Sequence, residues 1–140
     1  VKVRRTASDE ITDVRSDKAT INRATQVAYF TMNKPEEKVE SDQGTLRVRS
    51  KRQEAVYDPN AKVMKFLTAF EDVLIKEMDP LKSKTGLKYA TCQKAEFMTS
   101  DNKIILSEFP SAYQDQDTIT GDLITVYRTK NIIEVTQPNA

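Results

Sequence analysis

Along most of the chain apolar residues alternate with polar ones, the two-residue period of half-buried strands. The pattern is cleanest at Leu87, Tyr89, Thr91, Gln93, Ala95 and Phe97, which share one face of an extended segment, with Lys88, Lys94 and Glu96 on the other. Aligning the chain with itself reveals four copies of one unit, beginning at Asp17, Arg52, Cys92 and Gly121. Each sets a small or branched apolar residue (Ala19, Ala55, Ala95, Ile124) two positions before a larger one (Ile21, Tyr57, Phe97, Val126). Apolar character then resumes after a polar break, at Val27, Val63, Ile104 and Ile132, and the step is the same to within one residue. So regular a step predicts one hairpin used four times. The breaks read as turns: DPNAK from Asp58, TSDNK from Thr99 and, more weakly, RTKN from Arg128.

Two changes of parity interrupt the alternation. Leu46 and Val48 are even-numbered whereas Ala55 and Tyr57 are odd, which predicts a bulge at residues 50–53. Ile119 and Ile124 differ likewise, and Gly121 is the residue expected to absorb the kink. One segment argues for a helix, because Val63, Phe66, Leu67, Phe70, Val73, Leu74 and Met78 recur at helical spacing. The competing reading is two strands, 62–67 and 73–78, joined at 69–72. Repetition favours the strands, since AKVMKFL from Ala61 aligns with NKIILSE from Asn102.

The 140 residues, 38% hydrophobic and 31% charged, describe one domain spanning residues 1–140. Without histidine, Ser-His-Asp and Cys-His catalysis and His-containing zinc sites are excluded. The single cysteine, Cys92, cannot form an internal disulfide, and its parity sets it apart from the apolar face. The longest apolar run, 27–30, is far below the ~20 residues of a membrane-spanning helix. Lys and Arg number 22 against 21 Asp and Glu, so overall charge gives no nucleic-acid footprint. Asp115, Asp117 and Asp122 fail calcium-loop spacing, and no metal or other cofactor is expected. No Gly-rich phosphate loop occurs, and no carboxylate pair stands in an apolar context, so an enzyme is the weaker expectation. The chain begins at Val1 rather than Met, which leads us to expect that a signal or anchor segment once preceded it.

The motifs EAVYDPNAKVMKFL from Glu54, KAEFMTSDNKIIL from Lys94 and TITGDLITVY from Thr118 resemble the OstA-like superfamily, the periplasmic lipopolysaccharide-transport proteins that include LptA and LptC. The resemblance covers roughly residues 13–135. It implies an all-β, open OstA-like β-jellyroll of stacked antiparallel hairpins, whose apolar interior receives lipopolysaccharide acyl chains. It further implies transfer between an inner-membrane Lpt transporter and the outer membrane, through other Lpt jellyroll domains, in the periplasm. Termination soon after the fourth copy leans toward LptC, whose membrane anchor would be the absent N-terminal piece. The sequence departs from the family where Gly-Asn is expected before the second strand of a hairpin, having Phe70-Glu71-Asp72 and Phe109-Pro110-Ser111 instead.

By parity the inward side chains are Leu87, Tyr89, Ala95, Phe97, Ile105, Tyr113, Ile124 and Val126, which on this resemblance would contact lipid. Arg47, Arg49, Lys51 and Arg52 could pair with lipid phosphates or form a solvated face. Ile11, Ile21, Ile132 and Ile133 mark candidate edge strands for joining a partner or a second copy edge to edge. The rival reading is a β-sandwich adaptor with a closed core and no lipid binding.

Overall fold

The computed structural model describes residues 2–7, 10–58, 64–82, 86–99, 101–130 and 132–136. Within them run fourteen strands. They are β1 (Lys2–Ala7), β2 (Glu10–Arg15), β3 (Lys18–Asn22), β4 (Val27–Thr31), β5 (Val39–Gln43), β6 (Leu46–Ser50) and β7 (Arg52–Tyr57). There follow β8 (Met64–Glu77), a short 3-10 turn (Pro80–Lys82), β9 (Tyr89–Met98), β10 (Lys103–Ser107), β11 (Ser111–Tyr113), β12 (Thr118–Thr120), β13 (Leu123–Tyr127) and β14 (Ile132–Thr136). Every pairing is antiparallel.

The hydrogen-bonded sheet is folded into two leaves that share β8 and β9. The first leaf runs β3-β4-β7-β8-β9-β10-β13-β14 and the second β1-β2-β5-β6-β8-β9-β11-β12. β8 belongs to both because β7 pairs with its first half, to Phe70, and β6 with its last four residues, from Leu74. Each leaf is a row of four hairpins. The four repeats seen in the sequence are the hairpins of the first leaf, β3–β4, β7–β8, β9–β10 and β13–β14, although Val63 lies outside the described residues.

The chain passes between leaves at a line of corners, and these explain the shifts of parity. At Lys51, between β6 and β7, the buried positions switch from Leu46, Val48 and Ser50 to Gln53 and Ala55. The expected change of face is there, but it is made by a corner between two strands rather than by a bulge within one; the register shift of β7 falls at Val56 and Tyr57 instead. Two corners share a local device: the hydroxyls of Ser16 and Ser50 donate to the carbonyls of Lys18 and Arg52, both at 2.9 Å. Neighbouring corners bond to each other, with the Lys51 amide donating to the Glu71 carbonyl and the Gln93 amide to that of Glu108, both at 3.0 Å. Where glycine is lacking, other residues accept left-handed backbone: Glu71 (φ 67°), Asp72 (52°), Glu108 (60°) and Phe109 (62°). Such angles cost an L-residue of order 1 kcal/mol each, so the departures from Gly-Asn are tolerated and the corners still form. Gly121 stands at the β12–β13 corner without a positive φ, so that kink does not draw on glycine's special freedom.

Residues 64–77 form neither a helix nor two separate strands. They make one strand bent at Glu71 and Asp72, where its pairing with β9 slips between Phe70 and Val73. The helical spacing arises from that bend. Met64, Leu67, Ala69, Val73 and Ile75 all face inward, while Phe66, Phe70 and Leu74 lie on the outer side, half buried.

Candidate functional site

The space between the leaves is the candidate site, lined by cross-strand rows. In the first leaf one row runs Ile21–Ala28–Ala55–Leu67–Phe97–Ile104–Val126–Ile133, one residue per strand. Its neighbour runs Ala19–Phe30–Gln53–Ala69–Ala95–Leu106–Ile124–Val135. Facing them in the second leaf is Val14–Ser41–Val48–Ile75–Ala90–Ala112–Ile119. The inner members of these rows make a single buried cluster, with Phe97 1% exposed and Leu67 and Ile104 fully buried.

Of the residues expected inside, Leu87, Ala95, Phe97, Ile124 and Val126 are buried there. Three expectations are corrected. Tyr89 is 37% exposed and Tyr113 half buried, their rings stacked on the outer face with centroids 4.2 Å apart. Ile105 is likewise outward, its buried neighbours being Ile104 and Leu106. The cause for Tyr89 is the corner at residues 93 and 94, which sets Ala90 and Cys92 inward below it and Ala95 and Phe97 inward above it. Cys92 is therefore an interior residue, contrary to the parity argument. Burial pushes its thiol up to about 12, so it is unreactive near neutral pH.

The second copy holds a further surprise. Its anchor was Ala55, yet the residue level with Ala19, Ala95 and Ile124 is Gln53, two positions earlier. Gln53 is fully buried, and its amide donates across the interior to the carbonyls of Val39 (3.3 Å) and Val48 (3.4 Å) on the second leaf. Other polar residues lie inside at the same end of the stack, Ser41 and Gln43 on β5 and Ser50 at the corner. Gln43, Leu46 and Glu77 are successive partners across β5, β6 and β8, and Glu77 is 6% exposed with an oxygen accepting from the Asp79 amide at 3.1 Å. Arg128, from the β13–β14 turn of the first leaf, reaches the Gln43 carbonyl of the second at 3.5 Å, spanning the leaves far from the corners. Among the described side chains, Ser41 Oγ, Gln43 Nε2 and Gln53 Oε1 are buried without a hydrogen-bond partner. Each such atom typically costs about 1–3 kcal/mol relative to a satisfied one.

The four basic residues expected to meet phosphate, Arg47, Arg49, Lys51 and Arg52, are engaged with carboxylates on the outer surface. Arg15, Arg47 and Arg49 surround Glu40 and Asp42, with Arg15 to Glu40 and Arg49 to Glu40 both at 2.7 Å and Arg47 to Asp42 at 2.9 Å. Burial alone would raise Glu40 and Asp42, but the bonds from Arg15 and Arg49 to Glu40, and from Arg47 and Arg15 to Asp42, outweigh it and hold both below the usual carboxylate range. Arg52 pairs with Glu54 and Glu71 and lies 4.0 Å over the Phe70 ring, while Lys51 faces Asp72 at 3.7 Å. An outer cavity of about 140 Å³ is bounded by Arg47, Arg49, Leu74, Lys76 and Met78.

Four strands leave one side of their backbone unpaired among the described residues: β1 and β3 at one end of the stack, β12 and β14 at the other. Ile21 in β3 is 64% exposed, and Ile132 and Ile133 lie in β14, so these three do mark edges. Ile11 does not, because β2 sits between β1 and β5; its side chain lies outside the described residues. The Asp115, Asp117 and Asp122 side chains are exposed. Among the described residues no group of three potential ligands converges on a metal position.

No curated protein matches the chain. Among solved structures it is similar to LptH, the LptA-homologous periplasmic component of the lipopolysaccharide transport device of Pseudomonas aeruginosa. The two share 16% identity with a TM-score of 0.74 over 91% of this chain and 82% of the other, which establishes a common open jellyroll fold. The family model for LptA and the LptD N-terminal domain, described as a lipopolysaccharide transport protein, matches residues 13–132. With that match spanning all but the two ends, and the leaves and corners of the same fold in place, the chain belongs to the LptA/LptD N-terminal-domain family of lipopolysaccharide transport proteins.

Proposed function

We propose that this chain binds lipopolysaccharide non-covalently in the periplasm, taking acyl chains between the two leaves and passing them to similar domains. The observation that carries this is the arrangement of the interior: apolar rows on two leaves that are joined through the corners and whose outermost strands are unpaired. No hydrogen-bond ladder closes the sheet into a barrel among the described residues, so the leaves can spread without breaking strand pairs. Insertion then exchanges side-chain contacts for acyl contacts, each buried CH2 contributing about 0.8 kcal/mol, enough to hold several chains without catalysis.

The partners follow from the edges. One end offers β1 and β3 and the other β12 and β14, so copies of this fold can add strand to strand in a head-to-tail row, with an inner-membrane transporter supplying the lipid at its start. The residues assigned to lipid are Leu87, Ala95, Phe97, Ile124 and Val126. The engagement of Arg47, Arg49, Lys51 and Arg52 with carboxylates argues against their serving as phosphate ligands.

A photo-reactive residue at position 97, with position 96 as control, tests this reading against purified lipopolysaccharide. Phe97 faces the interior and Glu96 the outside. An adduct at 97 and none at 96 supports the conduit. A folded protein giving no adduct at either position favours the closed-core adaptor, which the full burial of Leu67, Ile75 and Ile104 also fits.

A further inference from the structure

Strands run from a corner at one end to a hairpin turn at the other, so the turns of both leaves lie along the side away from the corners. Together they form the lips of a slit between the leaves. Arg128 crosses that slit. It stands on the β13–β14 turn of the first leaf, is only 7% exposed, and donates from Nη2 to the Gln43 carbonyl on the second leaf, 85 residues away in sequence. Taking a guanidinium out of water is unfavourable unless it is hydrogen-bonded. A turn at the rim of a sheet could leave it in solvent, so its burial here reports a contact between the lips.

Both ends of this bridge are fixed to their own leaf. The Arg128 amide donates to the Asn102 carbonyl at 2.9 Å, tying the β13–β14 turn to the β9–β10 turn beside it. Gln43 is paired in register with Leu46, and Leu46 with Glu77, so its lip is held by β5, β6 and β8. Gln53 also bonds from one leaf to the other, but it is the second residue of β7, and its acceptor Val39 is the first of β5, both close to the corners. Leaves that open about the line of corners move each point in proportion to its distance from that line. Arg128 lies about 20 Å of extended chain from the β12–β13 corner, and Gln53 about 7 Å from its own. An opening of about 15° therefore parts the lips by about 5 Å, while the Gln53 bonds stretch by about a third of that.

We propose that the Arg128–Gln43 bridge is a gate on this slit, which must open for the saccharide part of a lipopolysaccharide to move along the stack. The inference rests on the acyl-binding reading above and adds the step that the polar half of the lipid requires. Acyl chains can lie among the apolar rows, but the sugars linked to them cannot be buried there without losing their hydrogen bonds to water. They must project between the lips, and a lipid sliding along the stack then brings them against Arg128. A simple fatty acid has no such projecting part and passes beneath the bridge with the gate closed.

Stopped-flow mixing of the full chain with fluorescent lipopolysaccharide in detergent, and with a fluorescent fatty acid, tests this. Arg128→Ala is expected to take up the lipopolysaccharide about fivefold faster, as the loss of about 1 kcal/mol of closing free energy implies, and the fatty acid at an unchanged rate. A second measurement keeps Arg128 in place, so that poor folding of the variant does not decide the matter. Spin labels at Thr45→Cys and Lys130→Cys, on opposite lips, should move apart by about 5 Å when lipopolysaccharide binds and stay in place with the fatty acid. Cys92, buried and with its thiol pushed up to about 12, stays unlabelled. Bound lipopolysaccharide with an unchanged distance between the labels, or equal acceleration of both lipids, overturns the gate and leaves the acyl-binding reading standing. Slower uptake by a folded Arg128→Ala protein also overturns it, making Arg128 a lipid contact instead. Uptake of neither lipid by the wild type overturns both.

Discussion

Ile104 and Ile105 are adjacent, chemically identical and on opposite sides of β10, so truncating each in turn isolates what the interior contributes. Ile104 is fully buried, paired in register with Phe97 on β9 and Val126 on β13, themselves 1% and 0% exposed. Ile104→Ala removes three carbons from that contact, about 2.4 kcal/mol of transfer free energy at about 0.8 kcal/mol per methylene. The neighbouring side chains are held by strand pairs on both sides and relax little, so a cavity contribution follows and the total comes to about 3–4 kcal/mol. Ile105 is half exposed, opposite Glu96 and Thr125, and its truncation should cost about 1 kcal/mol or less. Urea unfolding should show a much lower midpoint for Ile104→Ala at an unchanged slope, and heating a fall in Tm of about 10 °C, set by the roughly 3 °C per kcal/mol typical of this size. Equal costs at the two positions, or a larger one at Ile105, would refute the facing of β10 and with it the interior assigned here.

Two further outcomes follow from the ion cluster and the corners. Glu40 and Asp42 are held below their ordinary range by arginines, so their contribution is complete above their unfolded values near 4 and is lost as pH falls through the folded ones. Stability should drop steeply below about pH 4, and the Glu40→Gln/Asp42→Asn double variant should show a flatter fall; an identical acid profile would count against the network. Phe109 has φ 62° and is 89% exposed, so Phe109→Gly relieves strain at no packing cost and should stabilise by about 0.5 kcal/mol. Phe109→Val, β-branched at the same angle, should destabilise by about 1 kcal/mol, and the reverse order in denaturant midpoints would exclude the left-handed corner.

The sequence disclosed the hairpins better than the facing of their side chains. The repeats at Asp17, Arg52, Cys92 and Gly121 fall on one leaf, whose rows demand small and large apolar residues in a fixed order. The second leaf left no comparable trace, since its inward positions mix Val14, Ser41, Ile75 and Ala112. Parity held along each straight run and failed across corners, which is why Tyr89 was expected inside and Cys92 outside. At residues 50–53 the apolar set visibly changed register, and there the corner was legible. At 93 and 94 it was not, because Gln93 and Lys94 are polar whichever way the strand bends. Gln53 was missed for a related reason: the neighbouring Ala55 completes the repeat equally well on paper, and only strand register shows that glutamine occupies the alanine row.

A closed barrel ties its strand number to its diameter, so a strand cannot be gained or lost without reshaping the lumen. The two leaves obey no such constraint. Each grows one strand at a time, about 4.8 Å per step, and each corner along the middle of the stack bonds to the next. A rung could be added or removed at either end with every remaining corner keeping its neighbours. Span and cross-section are thus independent quantities in this architecture. Length is set by counting hairpins, while the bore is set by which side chains fill the inner rows.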